Sequence, residues 1–165
     1  MTDDALPPPL SAFEFLLGDW EGEGVGAVPG GDDFAFAQEL TFSRVSVDTL
    51  GYVTRIWSIE TDEHVTSESG FWRALPEHRV EMVASHSGGF VEVSLGNIAF
   101  TRIESASDVV ARTEAGAGVT AIRRLYGMVG EDLLYAVDMA LTDSPMAPRY
   151  SARLRRTEER ALDLT

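Results

Sequence analysis

Leu16-Leu17-Gly18-Asp19-Trp20-Glu21-Gly22-Glu23-Gly24 is the stretch on which the reading of the fold turns. An apolar run stops at Gly18, and a glycine there supplies a left-handed backbone at little steric cost. Trp20 follows with a side chain large enough to plug one end of a core. The glycines at 22, 24 and 26 let a strand bend sharply, as barrel strands must where a sheet closes. Upstream, Ser11 reads as the N-cap of a short helix running to Leu17, with Glu14 completing a capping-box pattern. Phe13, Leu16 and Leu17 form its apolar stripe. Pro7-Pro8-Pro9 closes a segment read as an extended, flexible leader over residues 1–9.

Downstream the texture is that of strands. Phe34, Phe36, Gln38, Leu40 and Phe42 alternate with Ala35, Ala37, Glu39, Thr41 and Ser43, giving one mostly apolar face. Further strands are predicted at 51–59, 66–75, 79–85, 89–95, 97–103, 109–113, 119–128, 133–141 and 150–156. Turns fall at Gly96, Gly116, Gly118, Gly130-Glu131-Asp132 and Asp143-Ser144-Pro145. No helix-length segment separates these strands, so a parallel βαβ sheet is disfavoured. An antiparallel barrel or sandwich is expected. The single domain spans residues 10–156, followed by a charged tail over 157–165.

The chain has 165 residues, a net charge of −14 and no cysteine. Its length suits one domain with a sizeable core. Lack of cysteine removes disulfides and thiolate metal sites. The acidic balance disfavours nucleic acid and anionic membrane as partners. No apolar run reaches the roughly 20 residues of a membrane span, and the N-terminus lacks a secretion signal, so a cytoplasmic protein is the default. Arginines 149, 153, 155, 156 and 160 nevertheless crowd the C-terminal region.

Catalytic motifs are absent. His64, His78 and His86 lie beside turn signals without zinc-site spacing. The first two read as solvated turn residues, and His86 as a strand-end residue able to point inward. No nucleophile-elbow sequence is present. Gly22-x-Gly24-x-Gly26 lacks the spacing and the following helix of a dinucleotide loop.

Several runs together carry a family resemblance. They are Leu17-Gly18-x-Trp20-x-Gly22-x-Gly24, Ser67-Glu68-Ser69-Gly70-Phe71-x-Arg73, Gly89-x-Val91-Glu92-x-x-x-Gly96, Arg124 with Tyr126, and Pro148-Arg149-Tyr150-x-Ala152-x-Leu154. In that order the chain resembles the nitrobindins, haem-binding β-barrels related to fatty-acid-binding proteins and lipocalins. The resemblance implies an all-β fold, a roughly ten-stranded antiparallel up-and-down barrel with a short N-terminal helix. It also implies ferric haem held by one histidine near the start of the last strand, reversible nitric oxide binding and isomerisation of peroxynitrite to nitrate. The ligand position falls here on Arg149, which stays protonated and offers no lone pair. A second interior histidine of some relatives falls on Thr66.

The leading expectation is therefore a binding protein without His-ligated haem and with no catalytic residue assigned. Its ligand is a small apolar or anionic amphipathic molecule, in a cavity lined by Arg149, Tyr150, Thr66, Met139, Phe42 and Trp57. A bulge near Pro148 or a polar mouth must reconcile Arg149 with the apolar face of Tyr150, Ala152 and Leu154. Two other readings stand beside it: haem b on Tyr150 or His86 with peroxynitrite isomerase activity, and a filled barrel serving as an interaction module. A homodimer is compatible with each. Gly18 and Trp20 are assigned to structure, with Arg153 or Arg155 lying across the indole.

Overall fold

Strict alternation along the strands lets one face of every strand turn inward, and the sheet closes on itself. The computed structural model describes residues 8–157; the rest of the expected leader and tail lie outside the described residues. Ten antiparallel strands form the barrel: β1 (Gly18–Gly26), β2 (Phe34–Arg44), β3 (Thr49–Ser58), β4 (His64–Leu75), β5 (Arg79–His86), β6 (Phe90–Ala99), β7 (Arg102–Arg112), β8 (Val119–Val129), β9 (Asp132–Leu141) and β10 (Ser144–Arg156). Each pairs with its neighbour in sequence, and β1 pairs with β10 to close the ring. The end holding Gly18, Leu75 and Arg156 forms a floor. The end holding Gly26, Gly88 and Ser144 forms a rim.

The N-terminal segment plugs the floor. The expected helix over 11–17 is instead a four-residue α1 (Pro8–Ser11) and a 3-10 turn at Glu14–Leu16. Ser11 ends α1 rather than capping a helix, and Phe13 precedes the 3-10 turn without a side-chain cap. Pro8 and Pro9 open the helix rather than extending a leader, since proline is pre-organised for a first helical turn. So short a helix cannot hold itself together. It is held by Leu10, Phe13 and Leu16, all fully buried.

Trp20 closes the same end. Its Nε1 donates to the Leu16 carbonyl at 2.8 Å, and the ring is 1% exposed. The arginine across it is Arg156, with Cζ 4.3 Å from the ring centroid, not Arg153 or Arg155. Register decides this, because Trp20 lies opposite Arg156 in the β1–β10 ladder. Arg153 turns outward and donates from Nε to Asp132 at 2.5 Å.

Gly96, read as a turn, stands mid-strand in β6. The strand expected at 89–95 runs on through Gly96 to Ala99, and the chain reverses at Phe100-Thr101, so Arg102 and Ile103 open β7. A Cβ on Gly24 in β1 would sit 2.2 Å from the Ser151 carbonyl oxygen and 2.5 Å from Phe36 Cζ. Gly24→Ala is therefore expected to destabilise the barrel by about 1–3 kcal/mol through overpacking. Chemical denaturation checks this, and an unchanged midpoint would overturn it.

Candidate functional site

Two places inside the barrel carry chemistry: the rim around β10, and a polar cluster at mid-height. At the rim, β10 departs from regular pairing. Pro148 lies opposite Asp138 and Tyr150 opposite Val137, so Arg149 is the extra residue of a bulge. The bulge resolves the parity conflict in the sequence. Tyr150 turns inward, 9% exposed, with its ring edge-on to Phe36 at 5.9 Å. Arg149 stays half-buried at the rim. Its Nη1 donates to the Ala27 carbonyl at 2.6 Å, and its Cζ lies 5.4 Å from the Tyr150 centroid. Burial raises the Tyr150 pKa, with the Arg149 cation opposing, so the phenol is protonated at neutral pH.

The other residues expected around a cavity divide. Met139 is interior and 7% exposed, and Thr66 is half-buried near the rim, its Oγ1 3.4 Å from Ser87 Oγ. Phe42 is interior but at the floor, packed against Tyr52 and Trp72 at ring distances of 5.9 and 6.0 Å. Trp57 pairs with Ala37 and lies half-exposed on the outer wall, beyond a register shift after Ile56. Phe42 and Trp57 are thus removed from the rim site.

The mid-height cluster is the larger surprise. Arg124 on β8, 3% exposed, reaches across the interior to Glu68 on β4 and Glu92 on β6. Its Nη1 and Nη2 donate to Glu68 at 3.2 and 3.1 Å, a bidentate pair, and Nη2 and Nε also reach Glu92. Nη1 further donates to the Tyr126 hydroxyl at 3.2 Å. His86 on β5 lies between the same carboxylates, with Nδ1 3.2 Å from Glu68 Oε1 and Nε2 2.8 Å from Glu92 Oε1. Ser94 donates to Glu92 at 2.7 Å and Tyr52 to Glu68 at 3.3 Å. A stacked Phe90 ring, 4.0 Å away, covers the imidazole.

Charge balance explains why this cluster is tolerated in the core. Two carboxylates face one guanidinium and one imidazole whose two nitrogens both meet acceptors, which only the doubly donating imidazolium satisfies. Burial alone would push the carboxyls of Glu68 and Glu92 up; Arg124 first and His86 next outweigh it and hold both below the usual carboxylate range. Burial would likewise push His86 down, but its bonds to Glu68 and Glu92 raise it instead. Nearby, Tyr135 donates to Gln38 at 2.5 Å, and Gln38 donates to Thr54 at 2.8 Å.

This donor set does not fit a histidine-held haem. The position expected to carry the ligand is a guanidinium already bonded to a carbonyl. The Tyr150 phenol is protonated, and both nitrogens of His86 are occupied by carboxylates. His64 is exposed, its Nε2 2.7 Å from Ser67 Oγ. His78 is an exposed residue of the β4–β5 turn. Among the described residues no group of three or more His, Asp or Glu side chains is arranged to hold a metal ion.

Comparison with known proteins places this geometry. Residues 9–156 match the family described as "THAP4-like, heme-binding beta-barrel domain". A "Ferric nitrobindin-like protein" of Thermobifida fusca is 38% identical, over 94% of this chain and 98% of its own. A "Peroxynitrite isomerase" of Nocardioides sp. is 40% identical, over 92% of this chain and 94% of its own. The crystal structure of Rv2717c from M. tuberculosis superposes with a TM-score of 0.84 at 28% identity, covering 93% of this chain and 99% of that one.

Proposed function

The chain belongs to the family of THAP4-like haem-binding β-barrels, the nitrobindins, and from that premise we propose that it is a small-molecule-binding member that does not ligate haem through histidine. The observation that carries this reading is the β10 bulge, which sets the Arg149 cation at the rim and turns Tyr150 inward. The ligand class that suits it is an apolar or amphipathic molecule with an anionic head. Arg149 keeps donors beyond the one on Ala27, and a charge-assisted bond from a partly buried guanidinium to a carboxylate contributes about 1.5–3 kcal/mol. Tyr150, Met139 and Thr66 flank the path of an apolar tail, and methionine adapts readily to such a guest.

Some relatives named peroxynitrite isomerase favour a second reading, haem b bound here in another way. One titration separates the two. Addition of hemin is expected to leave free-hemin absorption, without the sharpened Soret band of a ligated ferric protein, whereas Arg149→His gains one. In parallel, a fluorescent fatty acid is expected to bind the wild type and to weaken about tenfold or more in Arg149→Ala, following the bond energy above. A ligated Soret band in the wild type, or no fatty-acid binding by it, overturns the proposal.

A further inference from the structure

Near the rim, the ladder between β7 and β8 stops well short of the strand ends. β7 pairs with β8 only from Arg102 to Ala106, opposite Gly127 to Arg123. Above that point residues 107–112 of β7 and 119–122 of β8 have no register with each other. The Ser107 hydroxyl takes the place of the ladder, accepting from the Ile122 N–H at 2.9 Å. Both strands remain paired on their far sides, β7 with β6 up to Arg112 and β8 with β9 from Val119.

The connecting loop explains the split. It is stitched to the β5–β6 turn rather than to β8: Thr113 N–H donates to Gly89 O at 2.9 Å, and Ala117 N–H to Gly88 O at 2.8 Å. Gly116 and Gly89 approach so closely that a Cβ on Gly116 would stand 2.2 Å from the Gly89 carbonyl oxygen. β7 is thereby drawn toward β6 and away from β8. Side chains seal the resulting seam. Val119 and Ile122 are buried and Val110, opposite Glu92, is half-buried. At the top, Arg112 reaches over Gly118, its Nη1 3.8 Å from where a Cβ on that glycine would stand. Among the described residues the Arg112 side chain has no hydrogen-bond or ion-pair partner.

We infer that this β7–β8 seam is the route by which an anionic amphipathic ligand reaches the interior, with Arg112 as the residue that captures its head group. This rests on the small-ligand reading above. At the rim beside β10, the fully buried Phe36 ring packs against Phe34 and Tyr150 at centroid distances of 6.3 and 5.9 Å, so entry there must displace packed rings. The seam parts by separating apolar side chains and a single serine bond, whereas parting a fully paired stretch such as β5–β6 breaks a backbone ladder. Low-stability segments of this kind are where proteins open locally. A free cation at such an opening raises the encounter rate of an anion on a chain whose net charge otherwise repels it.

The test combines ligand-free hydrogen exchange with stopped-flow binding of dansyl-labelled undecanoic acid and its methyl ester. Seam-side amides within 108–112 and 119–121 are expected to exchange about tenfold or more faster than those of 103–106 and 123–126. Arg112→Ala is expected to slow association of the acid by a factor of about 3–10, with the gap shrinking at high salt, and to leave the neutral ester unchanged. Slow exchange along the seam, or an equal loss for acid and ester, overturns the seam while leaving ligand binding intact. No binding of either probe by the wild type overturns the ligand reading, and the route with it.

Discussion

Arg124→Met is expected to cost the barrel about 3–5 kcal/mol at pH 7, because it strands two buried carboxylates against a single imidazolium. The loss exceeds that of an ordinary polar truncation, since Arg124 supplies both halves of a bidentate pair with Glu68 and also reaches Glu92. The variant's pH response follows. Without the guanidinium, the cation that holds both carboxyls low is gone, burial dominates and their pKa values rise. The destabilisation then shrinks as pH falls and the carboxyls take up protons. Adding Glu68→Gln and Glu92→Gln should recover much of the loss, because the charges that needed Arg124 are gone with it. Guanidinium chloride unfolding at pH 5 and pH 8 measures all three effects. A cost below about 1 kcal/mol for Arg124→Met would show that the cluster is hydrated rather than a closed ionic core.

The second large effect is a stability maximum on the acid side of neutrality, set by His86 and its two glutamates. His86 has a folded pKa raised above its ordinary 6.5, so its contribution is complete below that value and is lost as pH rises through the folded pKa. Glu68 and Glu92 have folded pKa values below the ordinary 4.5. Their contributions are complete above 4.5 and are lost as pH falls toward the folded values. All three are intact between the ordinary values of 4.5 and 6.5. Arg124, whose pKa is raised further, stays charged across that window, and so does not shape it. Tyr52, Tyr126 and Tyr135 face the same cluster, and burial raises all three so that they remain neutral there. His86→Gln is expected to lose about 1.5–3 kcal/mol at pH 6, the worth of hydrogen bonds to charged groups. The difference from wild type narrows as pH rises above 6.5 through the raised folded pKa of His86. Thermal unfolding scans from pH 4 to pH 9 test this. A wild-type profile that stays level from pH 6 to pH 9 would mean that the folded pKa of His86 is not raised.

The cluster escaped the sequence reading because the pattern around it is inverted. In β6 the apolar residues Val91, Val93 and Leu95 face solvent at 44%, 36% and 43% exposure, while Glu92 and Ser94 point inward at 0% and 1%. Alternation alone assigns the valines to the core and the glutamate to water. Glu68 is hidden in the same way between Ser67 and Ser69. One signal was legible: Arg124 falls between Ile122 and Tyr126 on the apolar face of β8, and a charge in such a stripe calls for buried partners. The rim was read more nearly. A bulge near Pro148 was one of two ways of reconciling Arg149 with the apolar face of β10, and a bulge is there. Phe42 was misplaced because alternation tells which face a residue occupies but not its height along the barrel axis.

By itself the sequence determined that the chain is all-β and antiparallel, because strand periodicity and short glycine turns are local properties repeated along the chain; closure into a barrel rather than a sandwich came with the family resemblance. That an arginine follows Pro148 in the last strand was also legible, since side-chain chemistry needs no coordinates. Only the tertiary structure decided that Arg156, not Arg153, covers Trp20, for that depends on the β1–β10 register. Only the closed barrel brings Glu68, His86, Glu92 and Arg124, from four strands, within hydrogen-bonding distance. Paired buried charges are a property of the enclosed interior, where the low dielectric makes each partner indispensable to the others.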